Sequence, residues 1–188
     1  MRIVIAGLLA GIVVFIWGAL SHMVLPLGHV GFNDARDESA LPVLQSSLPE
    51  EGVYMLPGLP IDQWGDQAAV AEYAKRATDS PFAFVIYQPE GRDPMNMGAQ
   101  LGIQFLVVVL AGILAAWIVS QGVQGFARRV LSVVAMAVFA WLLISLPYWN
   151  WYRFPLDFTL AALVENVVGW ALGGMALAWW LGRGERRA

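Results

Sequence analysis

The segment "YWNWYRFPLDFTLAALVENVVGW", residues 148–170, sets five aromatic rings around one arginine and then runs into an apolar stretch carrying Glu165 and Asn166. Its two halves need different surroundings. Aromatic rings with a polar edge favour the headgroup level of a bilayer, so Tyr148, Trp149, Trp151, Tyr152 and Arg153, with Phe154, read as an interfacial belt between two helices. Pro155 stands just before the next helix, and Asp157 is placed to cap that helix and complement its positive end. Glu165 lies about seven residues, roughly 10 Å, further along it.

The rest of the chain agrees with a membrane reading. Of 188 residues 59% are hydrophobic and only 13% are charged, well beyond the apolar share of an ordinary soluble domain. Four stretches, about 3–25, 101–120, 130–147 and 158–182, match the ~20 helical residues needed to cross a hydrocarbon core. The first exceeds the apolar run of a signal peptide and lacks a clear small-x-small cleavage site, so it reads as an uncleaved anchor. The expected fold class is a membrane all-α four-helix bundle with a small α+β extracytoplasmic domain inserted between helices 1 and 2. The parts are residues 1–25 as the first span, 26–100 as the outer domain, and 101–188 as the other three spans with a short cytoplasmic C-terminus.

Basic residues favour the cytoplasmic side of short flanking segments. With the N-terminus inside, Arg2, Arg128, Arg129, Arg183, Arg186 and Arg187 are all cytoplasmic, and the short outer loop holds only Arg153. The expected location is therefore a bacterial inner membrane, multi-pass, with both termini cytoplasmic and residues 26–100 outside. That outer region carries Asp34, Asp37, Glu38, Glu50, Glu51, Asp62, Asp66, Glu72, Asp79, Glu90 and Asp93 against four basic residues. "GVYMLP" and "PFAFVIYQP" read as short strands bounded by Gly or Pro, and "DQAAVAEYAKRAT" as a helix opening on Asp66. A second helix is expected over 38–48. About 75 residues is near the lower limit for an independent core.

An ionisable group inside a span is costly and usually faces other helices or a water-filled cavity. On a helical wheel Gly169 and Gly173 lie near the Glu165 face, and small residues permit close helix packing. Gly7, Gly11, Gly18, Ser21 and His22 form one stripe on the first helix, which offers the fourth a matching antiparallel surface. Side chains tilt towards their helix N-termini, so His22 and Glu165 approach one another in depth. Asn166, Gln104 and Ser145 fall at the same level. Two readings of the cluster stand side by side: a hydrogen-bonded plug that satisfies itself, and a protonatable site with Glu165 and His22 as exchange partners.

Other chemistries find little footing. There is no cysteine, hence no disulfide, thiolate nucleophile or cysteine-ligated metal. His22 and His29 are separated by Pro26 and Gly28, the acidic residues lack the calcium-loop spacing, and no metal or cofactor is expected. No basic block suits nucleic acid, and no nucleophile motif or phosphate loop gives positive grounds for an enzyme.

"FIWGALSHMVLPLG", "EGVYMLPG" and "YWNWYRFP", in that order, resemble a group of uncharacterised bacterial four-helix integral membrane proteins. The resemblance spans nearly the whole chain and implies the topology above, with no activity attached. Two functions follow as expectations. The first is assembly, as an accessory subunit or with itself, through the outer domain and the glycine-rich helix faces, with lipid and other membrane subunits as partners. The second is a small-molecule or proton-handling role for the buried cluster.

Overall fold

The computed structural model describes residues 1–185. The chain folds as two compact units, Asp34–Pro94 and the remainder, Met1–Asn33 with Met95–Ala188. The division falls inside the 26–100 expected for the outer domain. Residues 26–33 group with the long helices, because a 3₁₀ turn at Pro26–His29 packs back against the first and last of them.

The larger unit contains α1 (Arg2–Met23), α4 (Gly98–Ser120), α5 (Phe126–Tyr152) and α6 (Leu156–Glu185), all four long and apolar enough to cross a membrane. The observed bounds depart from the sequence reading chiefly at one place. The sequence reading ends the third span at Pro147 and leaves the aromatics beyond it as a linker, yet α5 continues through them to Tyr152. Proline removes its own N–H from the ladder and crowds the carbonyl four residues back, yet α5 runs on past it and stops where Arg153 turns left-handed (φ 57, ψ 33) and Phe154 N–H bonds back to Tyr148 O at 3.3 Å. Trp149 and Trp151 are therefore exposed residues of the last turns of α5, and Tyr148 and Tyr152 stack on each other at 5.5 Å.

The four helices neighbour one another in the order α4, α1, α6, α5, while α4 touches α5 and α6 only slightly. Glycines set the closest approaches. A Cβ on Gly7 would stand 2.4 Å from Ile113 Cα, one on Gly11 2.6 Å from Val109 Cα, and one on Gly112 2.4 Å from Gly7 O. Gly7 and Gly11 thus seat α4, not α6 as expected, and their partner Gly112 is a third member of that seam. Gly173 faces Ala10 and Val14 of α1, Gly169 faces Trp17, and Gly174 faces Val133 of α5. Gly18 meets nothing within 4 Å and is no packing glycine. The buried apolar cluster, Ala6, Ala10, Ala115, Ala116, Val119, Val133, Leu177 and Leu181, gathers where α1 and α5 begin and α4 and α6 end.

The smaller unit holds α2 (Ala40–Ser47), β1 (Gly52–Leu56), α3 (Gln67–Asp79) and β2 (Ala83–Tyr87). β1 and β2 pair antiparallel, Gly52 opposite Tyr87 and Leu56 opposite Ala83. Asp66 caps α3 by accepting from Ala68 N at 2.8 Å and Ala69 N at 3.4 Å, which satisfies donors a helix start otherwise leaves open. Of its described residues only Leu48 is a buried hydrophobe, and Val53, Met55 and Ile86 expose one face of the hairpin. Gly and Pro bounds and the Asp66 cap explain these elements; a deep core does not.

Candidate functional site

In the last turn of α1, Ser21 is wholly buried against α6. Its hydroxyl donates to Glu165 Oε1 at 2.9 Å, and Gly18 O is 3.0 Å away as a second acceptor. The next residue, His22, brings Nδ1 within 3.1 Å of the same Oε1, 3.0 Å of Ser21 Oγ and 3.1 Å of Gly18 O. Antiparallel packing of α1 on α6 and the tilt of both side chains towards their helix N-termini produce this meeting.

Proton counting assigns the imidazole tautomer from this geometry. A backbone carbonyl supplies no proton, and Ser21 has only one to give. Nδ1 faces both Gly18 O and Glu165 Oε1, so it carries a hydrogen and donates. In the neutral ring Nε2 is then an acceptor. Both bonds to the carboxylate converge on Oε1; Oε2 receives none from the described residues and is not buried. The side chains of His22 and Glu165 are 53% and 28% exposed, so the group has an open side; Oε2 of the carboxylate accepts there, while Nε2 accepts in the neutral ring and donates in the protonated one.

Three neighbours fix the group in place. Trp17 donates its indole N–H to Glu165 O at 3.0 Å, crossing α6 over Gly169, where a Cβ would stand 2.8 Å from the ring. The ring of His22 lies against Gly28, whose missing Cβ would be 2.6 Å from His22 Cδ2. At Gly31 the backbone has φ +83 and passes so close that a Cβ would sit 2.5 Å from Phe158 Cβ; only glycine suits both demands. From there rings pack in sequence: Phe32 on Phe158 at 5.4 Å, Phe158 on Phe154 at 5.5 Å, and Phe154 on Tyr148 at 5.2 Å.

Three residues expected in the cluster are not part of it. Asn166 donates to Ala162 O at 2.8 Å within its own helix, a local bond that satisfies the amide without a second helix. Gln104 is exposed and Ser145 half-buried, and neither hydrogen-bonds to the carboxylate. They share the depth but point elsewhere: α4 contacts α1 through Val109, Gly112 and Ile113, and α5 is separated from α1 by α6. The site reduces to Ser21, His22 and Glu165.

Trp17 is the residue that sequence reading missed. It stands four positions before Ser21, hence on the same helical face, and that spacing was the available signal. On the other side of α6, Trp141 of α5 donates to Thr159 O at 2.8 Å, so α6 is gripped by an indole from each neighbour.

The arrangement limits the chemistry. Ser21 and Glu165 both reach the same nitrogen of His22, whereas a nucleophilic triad needs them on opposite ring nitrogens, and Ser21 has no exposed surface. Among the described residues no three His, Cys, Asp or Glu side chains gather as metal ligands. What remains is a fixed imidazole–carboxylate pair, partly exposed, in which Nε2 and Oε2 take no hydrogen bond from the described residues. Compared with protein-family models, with curated proteins and with solved structures, the chain matches none.

Proposed function

We propose that this is a four-span protein of a bacterial inner membrane, with residues 34–94 on the outer side, that binds a small hydrogen-bond donor at its outer face through His22 and Glu165. The observation that carries the reading is the unequal use of the carboxylate. Two donors crowd Oε1 while Oε2 and the far ring nitrogen take no hydrogen bond from the described residues. An open carboxylate oxygen beside an imidazole suits a hydroxyl or an ammonium group. The span lengths and the basic residues at one end support the topology. Arg186 and Arg187, which also entered that charge argument, lie outside the described residues.

Binding or proton exchange at one face fits better than passage across the protein. Below Glu165 the buried core is Ala, Val and Leu, and a proton relay needs successive polar groups. Asn166, the next polar side chain, is turned to its own helix.

Assembly as an accessory subunit or with itself is the second reading. It is favoured by the open order of the helices, which leaves Leu131, Phe139, Leu143 and Ile144 of α5 well exposed. The glycine faces are not its contact surface, because Gly7, Gly11, Gly112, Gly169 and Gly173 are used within the chain.

The experiment is purification in mild detergent of the wild type, His22→Gln and Glu165→Gln, with mass spectrometry of everything retained. A small molecule held by the wild type and lost from both variants is the expected outcome. A protein subunit retained equally by all three, with no small molecule, would replace this reading by assembly. Extraction of the chain from membranes by alkaline carbonate would refute the topology itself.

A further inference from the structure

We infer that the molecule held by His22 and Glu165 is an amphiphile: its hydroxyl or ammonium head bonds at the pair, and its apolar chain lies in an opening between the outer halves of α1 and α4. The inference rests on the binding reading above and adds the class of ligand. The seam between these helices is closed at one end and open at the other. Gly7 stands against Ile113 and Gly11 against Val109, so close that a Cβ would meet the partner Cα at 2.4 and 2.6 Å. One turn on, Phe15 meets Phe105 in a T-shaped pair with centroids 5.4 Å apart. The pairing advances along α1 as far as it retreats along α4, so three residues later Gly18 comes opposite Gly102. A Cβ at either glycine would find nothing within 4 Å, and α4 is exposed from Leu101 through Val107. Helices that touch backbone to backbone at Gly7 have parted at Gly18.

The opening begins at the polar pair. His22 Nδ1 lies 3.1 Å from Gly18 O and 3.1 Å from Glu165 Oε1, so imidazole and carboxylate stand at the very glycine that leaves the space. Phe15, Gly18 and His22 follow at intervals of three and four residues, hence on one face of α1, and the rise from the first to the last is roughly 10 Å. One end of that face offers hydrogen bonds and the other an aromatic ring. A void beside Gly18 would forfeit the contacts of its walls, and in a bilayer hydrocarbon fills it as well as a leucine would. The carboxylate at the top accepts hydrogen bonds and gives none when ionised. A donor head on an apolar chain meets both demands in one molecule, whereas a small polar donor leaves the space beneath it unfilled.

The test uses the full chain in neutral detergent at constant pH, with carbon-13 in the rings of its two histidines; His22 is the resonance lost in His22→Gln. Dodecanol and dodecylamine are titrated in, and butanol, butylamine and dodecane supply the head or the chain alone at the same mole fraction. At least one long-chain probe should shift His22 saturably and leave His29 in place, dodecanol marking a hydroxyl head and dodecylamine an ammonium; the three partial probes should not. Gly18→Leu puts a side chain into the opening, so it should keep the probe-free His22 signal and need at least about fivefold more probe, the low end of what overpacking costs. Leu20→Phe adds bulk on another, exposed side of α1 and should leave the titration unchanged. If Gly18→Leu moves His22 without probe, Gly102→Leu, on a helix that carries no part of the pair, decides in its place.

Short-chain heads that shift His22 as well as the long ones do, a deciding glycine variant that titrates like the wild type, or an equal loss from Leu20→Phe would overturn the amphiphile while leaving a donor bound at the pair. Silence from every head, long or short, would overturn the binding reading and this inference with it.

Discussion

The α1–α4 seam gives the sharpest mechanical prediction, because the atom that obstructs a side chain there is backbone. Replacing Gly7 by alanine puts a Cβ 2.4 Å from Ile113 Cα and 2.5 Å from Ile113 N. Carbon atoms rest about 3.5–4.0 Å apart, so the helices must separate by about 1 Å, since no rotamer change moves a Cα. A gap of that size forfeits roughly a quarter to a half of the dispersion energy of the contacts it opens, and Gly11–Val109 and Gly112–Gly7 lie on the same row. The expected cost is about 1–3 kcal/mol, as for other overpacked cores. Gly18→Ala on the same helix is the control: nothing lies within 4 Å of its new methyl, and alanine is the better helix former, so stability should hold or rise slightly. Reversible unfolding of both variants in the same mild detergent, followed by far-ultraviolet circular dichroism, compares them directly. Equal stabilities would refute the idea that Gly7 closes this seam.

The tryptophans divide by their indole partners. Trp17→Phe and Trp141→Phe each lose a bond to an α6 carbonyl and should each cost about 0.6 kcal/mol in the same assay, the mean for side-chain hydrogen bonds between membrane helices. Trp180→Phe should cost less, because Trp180 Nε1 is buried without a partner among the described residues. In the smaller unit, Asp66→Ala should remove the cap of α3, about 1 kcal/mol, and be read as faster amide exchange at Ala68 and Ala69. Hydrogen bonds from the Ser39 hydroxyl and amide hold the Asp37 carboxyl below its ordinary range. The folded-state value being depressed, these contacts favour the folded arrangement above the ordinary carboxyl range and are lost as pH falls through the folded value. Carboxyl-carbon resonance titration should show Asp37 ionising below its usual range in the wild type and closer to it in Ser39→Ala.

Local chemistry was legible in the sequence where a single segment decides the outcome. The helix opening at Asp66, the strand pair bounded by Gly52 and Pro81, and the four long apolar helices need only neighbouring residues to specify them. The meeting of His22 with Glu165 was also readable, since it follows from antiparallel depth and side-chain tilt. Azimuth between helices was not. Gly7 and Gly11 share a stripe with Ser21 on a wheel, yet α1 has two partners, and the stripe divides between α4 and α6 as the helices cross. The wheel likewise set Gln104 and Ser145 at the depth of Glu165 without stating which helix each faces. The ending of α5 was misread for another reason: an interior proline forfeits a hydrogen bond and crowds the preceding turn, which argues for a helix end, yet α5 carries Pro147 and continues to Tyr152. The left-handed turn at Arg153 carries no sequence signal as plain as a glycine.

Glu165 and Asn166 are adjacent, similar in size and equally placed in α6, and their different fates bear on what the site does. Asn166 closes its hydrogen bond on Ala162 O and asks nothing of α1. A fold that needed only to neutralise polar groups in this helix had that local solution at both positions, since glutamine at 165 would supply its own donors. A carboxylate has no donor when ionised, so it must draw donors from elsewhere, and it receives them from Ser21 and His22 on a single oxygen. Fastening α1 to α6 explains Oε1. It does not explain why Oε2 stays open, or why a half-exposed imidazole keeps an unused nitrogen, when Trp17 already joins the two helices at the same level. Under the proposed binding role a ligand that donates hydrogen bonds would use the open carboxylate oxygen, and Ser21, its one proton already given and its side chain wholly buried, serves to hold the pair in register.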